Sequence, residues 1–327
     1  MKRKKISIIF ISLVLIFLLC GCGAYEYIIE DDTTKATTTT TQEKTITTEN
    51  FDNAKIIDNK QLVAQLINSV GTIVKDHANE TINFNIDVSA TMTGTMGTLG
   101  DVTALSTING DIKYSIDSNY TDIKTVVDFG KELGGSQTEE SKMYQIVEND
   151  KVISYIYAIN EDKWYRVTET ATIENTGITS DLNVDIMENI VLRENDTEYI
   201  VTCDSYMSKL NPNLRSLTGT TNASTTDFIV HFIIKFNKET KIFTSMKLVF
   251  DNFVASGYTV TDFSLLVTNK EISNGKLKVP EDIVKNALDG DAIIEQQKQQ
   301  QQSTSTSTEN AQTTDNTTEQ PDIDSTE

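Results

Sequence analysis

The chain has 327 residues, 28 Lys and Arg against 48 Asp and Glu, a formal charge of -20, and 38% hydrophobic residues. That length can bury a real core, and the excess of acid argues against a nucleic-acid partner, which needs clustered Lys and Arg. The apolar share is below that of a fully folded chain, so part of the sequence is expected to stay unfolded. Two histidines, three cysteines and one tryptophan leave little material for metal or thiol chemistry.

The composition is segregated along the chain. Lys2, Arg3, Lys4 and Lys5 open it, and the first 22 residues contain no acid. Ile6 to Leu19 is apolar apart from two serines, and these 14 residues are too short to span a bilayer comfortably. A basic start and a short apolar run form the secretory signal pattern. Leu19-Cys20-Gly21-Cys22 then resembles the lipobox of bacterial lipoproteins, with small Gly21 at the cut and Cys22 first in the mature chain. Cys20 departs from the commonest residues at its position. A thiol is nucleophilic enough to take a diacylglyceryl group as a thioether, and two acyl chains anchor a protein stably where one does not. The competing reading is a secreted protein cut nearby, or an uncleaved anchor. On the lipobox resemblance, residues 1–21 are a signal peptide. The same resemblance implies that Cys22 carries the anchor, holding the protein to the outer face of the cytoplasmic membrane in a bacterial envelope. No other cofactor is expected, and no metal.

Residues 22–50 read as a tether. From Glu30 to Asn50 threonine dominates, unbroken from Thr37 to Thr41, with no aromatic residue. Such a stretch cannot bury enough apolar surface to offset its ordering entropy. As a flexible coil it would hold the next element roughly 30 Å from the membrane. Residues 296–327, with a glutamine run and Ser/Thr repeats, read as a second disordered segment, polar and acidic.

Between them, 51–295 is expected to be the folded domain. Leu62, Val63, Leu66, Ile67, Val70, Ile73 and Val74 recur at helical spacing, and Asp58 with Gln61 resembles a capping box. The period then changes to two: Ile82, Phe84, Ile86, Val88 and Met92 predict a long half-buried strand. Ile112, Tyr114 and Ile116 predict another, and Ile123, Val127 and Phe129 a third. Gly94, Gly97 and Gly100 lack the Rossmann spacing and read as a flap or lip. A hairpin is expected around Glu148-Asn149-Asp150 and a further turn at Asn160-Glu161-Asp162.

In the second half, Leu182, Ile186, Met187, Ile190 and Val191 predict a short helix capped near Ser180. A strand over Tyr199 to Cys203 and a helical piece over Tyr206 to Leu217, interrupted by Pro212, follow. Phe228, Val230, Phe232, Ile234 and Phe236 form the strongest strand. Asn237-Lys238-Glu239-Thr240 turns it into Ile242, Met246, Leu248 and Phe250. The apolar phase slips at Asp262, which predicts a bulge. Pro280 at the first helical position and Glu281-Asp282 after it predict a closing helix with Ile283, Val284, Ala287 and Leu288 on its apolar face.

Element order, long alternating strands, the Asn-Lys-Glu-Thr hairpin and the Leu277-Lys278-Val279-Pro280 helix start, together with the lipobox, resemble LolA/LppX-type lipoproteins from about Phe51 to Ala292. The resemblance implies an α+β fold, a strongly curved antiparallel sheet in an open half-barrel with a few helices on its concave side. It also implies a lipid or other hydrophobic ligand between sheet and helices. The candidate lining is Phe84, Ile86, Val88, Tyr114, Ile116, Phe232, Ile234, Phe236, Leu248 and Phe250, against the plainer reading that these residues only pack a core. A partner protein in the envelope, bound by a module without ligand, is the alternative.

An enzyme is not expected. There is no G-x-S-x-G elbow, P-loop or H-E-x-x-H. Cys203 lies in a strand-like alternation without a neighbouring histidine and reads as a small buried hydrophobe. His77 suits a helix C-terminus, and His231 lies across its strand from Phe232. Glu139-Glu140 and Glu281-Asp282 read as solvated surface charge, and Asn79-Glu80-Thr81 is a chance glycosylation triplet.

Overall fold

The computed structural model describes residues 51, 53–95, 101–131, 135–149, 151–170, 182–210, 227–250, 253–255 and 258–292. Gly21, Cys22, both polar segments, Gly97, Gly100 and Pro212 lie outside the described residues.

Strand β1 (Lys55–Ile56) leads into helix α1 (Lys60–Asp76). The cap is Asn59 and not Asp58: its Oδ1 accepts from the Leu62 N–H at 3.0 Å, satisfying one of the orphan donors of the first turn. Six strands follow as a meander, each antiparallel to the next: β2 (Glu80–Thr95), β3 (Asp101–Ser115), β4 (Ser118–Asp128), β5 (Ser136–Glu148), β6 (Lys151–Ala158) and β7 (Lys163–Thr170). Asn149 and Asp162, in the expected turns, take positive φ of 50° and 53°, which Asn and Asp tolerate best.

The second set is β8 (Glu188–Glu194), β9 (Glu198–Tyr206), β10 (Ile229–Asn237), β11 (Phe243–Phe250), β12 (Phe253–Ala255) and β13 (Tyr258–Asn274), closed by α2 (Glu281–Asn286) and β14 (Leu288–Asp289). The Asn237 turn forms as expected, with Asn237 Oδ1 accepting from the N–H groups of Glu239 and Thr240 at 3.0 and 2.9 Å. The slip at Asp262 is a bulge: the β13–β2 register jumps between Thr261 and Ser264, and Asp262 has φ 53°.

All strands join one open sheet in the order β1-β8-β9-β10-β11-β13-β2-β3-β4-β5-β6-β7-β14, with β12 beside β13. The path does not close. Among the described residues every pairing is antiparallel except β14 with β7, so the fold is α+β, a large open half-barrel sheet with few helices. Strands β13 and β2 join the two sets, paired from Thr259 with Thr93 down to Asn274 with Glu80.

Helix α1 covers the inner face. Leu66, Ile67 and Val70 are fully buried, and they share one continuous core with β2, β3, β10, β11 and β13. Each such side chain contributes about 1.5–3 kcal/mol relative to exposure. The chain after β13 takes the other side. Because side chains alternate, Tyr144 and Tyr155 point opposite to Ile123 of the main core. Ile283 of α2 packs there with Ile153 and Tyr155, flanked by Tyr144 and Trp164. The expectation of helices on the concave side therefore holds for α1, while α2 straps the outer face.

Three further expectations change. The helix over 182–191 is a 3-10 turn, Val184–Ile186, capped by Asn183 and running into β8, while Ser180 lies outside the described residues. The helical piece at Tyr206 is a 3-10 turn at Met207–Lys209 where described. In the closing helix Pro280 is the cap, one place before the first turn, and only Ile283 is buried; Val284 and Leu288 are exposed, the latter on β14.

Candidate functional site on the inner face

Nine of the ten predicted lining residues share the face that α1 covers, and all nine belong to the main core. Phe84, Ile86 and Val88 of β2 stand opposite Ile112, Gly110 and Ile108 of β3. Phe232 pairs with Leu248 and with Cys203, and Val230 pairs with Phe250. Rings interlock across strands: Phe84 lies 6.0 Å from Tyr114 and 6.1 Å from Phe243, and Phe250 stacks on Phe263 at 4.1 Å. Each of the nine is at most 5% exposed. Under α1 these side chains fill the space between helix and sheet.

Ile116 departs from the expected lining. It falls in the two-residue turn between β3 and β4, half-buried, because Ser115 pairs directly with Ser118. The alternation Ile112, Tyr114, Ile116 runs one residue past the end of the ladder.

The same inner face changes character beyond β3. On β4 the inward positions are Asn119, Thr121, Ile123, Thr125 and Val127, all buried. Asn119 pairs with Gln145 of β5, which pairs with Ser154 of β6. Asn119 Nδ2 donates to Gln145 Oε1 at 3.2 Å, and Gln145 Nε2 donates to Ser154 Oγ at 3.2 Å. Buried Val127, Met143, Val152 and Val167 lie on the same face. The Thr125 hydroxyl is buried and makes no hydrogen bond, an arrangement that costs about 1–3 kcal/mol. The sequence signal for this patch was present: Asn119, Thr121 and Thr125 keep the phase of Ile123 and Val127. A strand search guided by apolar residues alone passes over them.

Charge is nearly absent here. The lysines of β4 and β5 point to the outer face, Lys142 on Asp122 at 3.0 Å and Lys124 on Glu140 at 3.3 Å. Among the inward positions of β3 to β6 the charged residue is Glu139, half-buried and directly across from Thr125.

The remaining chemistry is scattered. Cys203 is buried, its Sγ 3.7 Å from Met187 Sδ, and burial, then the adjacent Asp204, pushes its thiol up to about 12. His231 Nδ1 lies 2.7 Å from Asp204 Oδ1 on the outer face, and Asp204 Oδ2 accepts from Asn189 at 2.8 Å. His77 caps α1 and pairs with Glu80. Tyr120 and Tyr144 lie on the outer face with ring centroids 4.4 Å apart and planes tilted by 35°. Burial, then neighbouring Asp122, raises the Tyr120 hydroxyl; burial, then Asp282, raises Tyr144. Glu139 and Glu140 point to opposite faces, and Glu281 pairs with Lys285 within α2 at 3.0 Å. No group of three or more His, Cys, Asp or Glu able to hold a metal occurs among the described residues. No helix of the described residues is long and apolar enough to cross a membrane.

No protein-family model matches the chain, and no curated protein matches it. Among solved structures it is similar to a putative outer membrane lipoprotein-sorting protein domain from Vibrio parahaemolyticus. The identity is 8%, the match covers 68% of this chain and 97% of that one, and the TM-score is 0.19. The architecture rests on the strand ladders themselves.

Proposed function

We propose that this protein is an extracytoplasmic lipoprotein, anchored through a diacylglyceryl group on Cys22, whose half-barrel binds an amphiphile on the inner face of β4 to β6. What supports the binding site is the patch just described: buried amides and hydroxyls set among Val127, Met143, Val152 and Val167. Buried polar side chains are ordinarily hydrogen-bonded, as Asn119, Gln145 and Ser154 are to one another, and the Thr125 hydroxyl without a partner is the costly exception among them. A ligand site is expected to combine an apolar wall with a few placed polar groups. The apolar residues under α1 then act as the rigid base of the site, and the ligand lies beside α1.

Two measurements test the two halves of the proposal. Cells making the full chain and fed labelled palmitate should yield labelled protein in the membrane fraction, and Cys22→Ser should lose both label and membrane association. Native mass spectrometry of the Cys22→Ser chain should show a non-covalent adduct of lipid mass. Consistently empty protein that takes up no fluorescent lipid refutes binding. A second reading, an envelope-protein interaction module without ligand, draws on the close packing of the nine residues under α1. Reproducible crosslinking of one envelope protein to ligand-free chain in intact cells would favour it.

A further inference from the structure

We infer that residues 281–292 form a latch, which swings off the outer face about Lys278-Val279-Pro280 while the sheet stays folded, and so covers or bares the outer edge of β7. The latch is independent of ligand binding. Three observations converge on it.

First, the chain after β13 is held unequally along its length. The Gly275 N–H donates to the Asn79 carbonyl at 3.1 Å, and Thr81 Oγ1 donates to the Gly275 carbonyl at 2.8 Å. The Leu277 N–H donates to buried Ser115 Oγ at 2.8 Å, and buried Ser118 Oγ donates to the Leu277 carbonyl at 3.0 Å. Lys276 reaches Asp117 at 2.7 Å. Beyond exposed Pro280 the hold is slight. Of residues 281–292 only Ile283 and Gly290 are buried, and Val284 and Leu288 are exposed. With six residues, α2 is too short to stand alone. A firm anchor, a short exposed connection and a lightly held end make a hinge.

Second, Ile283 belongs to a small cluster with Ile153 and Tyr155, apart from the main core. Lifting it takes nothing from the packing under α1, and segments with few buried contacts open locally below the global transition. Third, the latch is what closes β7. Strand β14 pairs in parallel with Tyr165 and Arg166 alone, and Asp291 Oδ1 accepts from the Thr168 N–H at 3.1 Å. Between them Gly290 lies flush against the edge: a Cβ there would stand 2.8 Å from Val167 Cγ2 and 3.1 Å from the Arg166 carbonyl oxygen. An unpaired edge is a template for another strand. The closed latch hides that template, and opening bares the Thr168 N–H together with Ile153 and Tyr155.

The test uses the full chain carrying Cys22→Ser, titrated with urea. Trp164 is the one tryptophan of the sequence and packs against the cluster that holds Ile283. Its fluorescence therefore reports the latch, and far-ultraviolet circular dichroism reports the sheet. Trp164 emission should shift to the red in a first step, with the dichroism lost in a second step at higher urea. In native-state hydrogen exchange the Thr168 amide and those of 281–292 should exchange about tenfold or more faster than the paired amides of β2 and β13. Ile283→Ala removes the anchoring side chain, and Gly290→Val pushes the latch off β7 from its own side. Each should lower the first midpoint and leave the second in place, and Ile283→Ala should speed latch exchange by about tenfold. Ile86→Val, in the main core, should lower the second midpoint alone. Coincident fluorescence and dichroism transitions in the parent overturn the inference. So does a latch variant that moves the second midpoint as far as the first, or loses the folded sheet. An unchanged first midpoint in Gly290→Val overturns the seat on β7.

Discussion

Gly71 sits within α1, where alanine would ordinarily be the better residue. Replacing an interior helical glycine by alanine gains about 1 kcal/mol from backbone entropy. At this position a Cβ would lie 2.3 Å from the Leu182 carbonyl oxygen and 3.1 Å from its nitrogen. An ordinary carbon–oxygen approach is about 3.3 Å, so α1 must retreat by roughly 1 Å. The retreat strains the bond from the Val184 N–H to Asn68 Oδ1, now 3.1 Å, and loosens the packing of Leu66, Ile67 and Val70. Overpacking costs about 1–3 kcal/mol and the hydrogen bond about 1. The sum exceeds the helical gain, and Gly71→Ala should destabilise by about 2 kcal/mol. For a domain of this size that is a fall in Tm of about 4–8 °C, read by far-ultraviolet circular dichroism. Gln65→Gly, on the exposed side of α1, measures the helical contribution alone and should cost somewhat under 1 kcal/mol. A Gly71→Ala chain as stable as the parent, or more so, would refute the claim that close backbone approach selects glycine here.

Two other outcomes are open to direct measurement. Asn59→Ala should cost about 1 kcal/mol of stability by removing the α1 cap, and Asp58→Ala far less, in paired urea titrations. Cys203 holds its proton in the folded chain up to about 12, whereas an unfolded thiol ionises near 8.5. The unfolded state therefore binds fewer protons between those values, and this group's contribution to stability falls as pH rises through that window. Over the same range Cys203 should resist alkylation until the chain is unfolded; rapid native-state labelling would contradict its burial.

Local signals in the sequence were legible, and signals that depend on the partner strand were not. The Asn237 turn and the Asp262 bulge are written in a few adjacent residues, one through side-chain bonds to the next two N–H groups and one through a slip in phase. The 182–191 segment reads as a helix for a physical reason. A bulge between Glu188 and Val191, with Asn189 at φ 51°, breaks the period of two and leaves spacings of three and four that imitate a helix. Ile116 continues an alternation past the last ladder pair, which only the position of Ser118 on the next strand reveals. The apolar members of the inner face mark the core under α1, whereas the Thr125 patch keeps the same phase with polar residues and carries no apolar signal. That α2 lies on the outer face was hidden too, because an apolar stripe says that a helix is buried and not on which side.

The pairing of β2 with β13 has a kinetic consequence. Thr81 and Gly275, bonded at one end of that seam, are 194 residues apart in the chain. β2 and its meander are made early, yet the edge of β2 that will face β13 stays unpaired until nearly the whole domain has emerged. Loop closure over such a separation is slow compared with hairpin formation. An apolar strand edge left waiting is open to the wrong neighbour. The two halves of the sheet should therefore form separately, with the seam last. The asparagines, aspartate and serine on the outward phase of β2, Asn83, Asn85, Asp87 and Ser89, keep one side of that waiting strand wet.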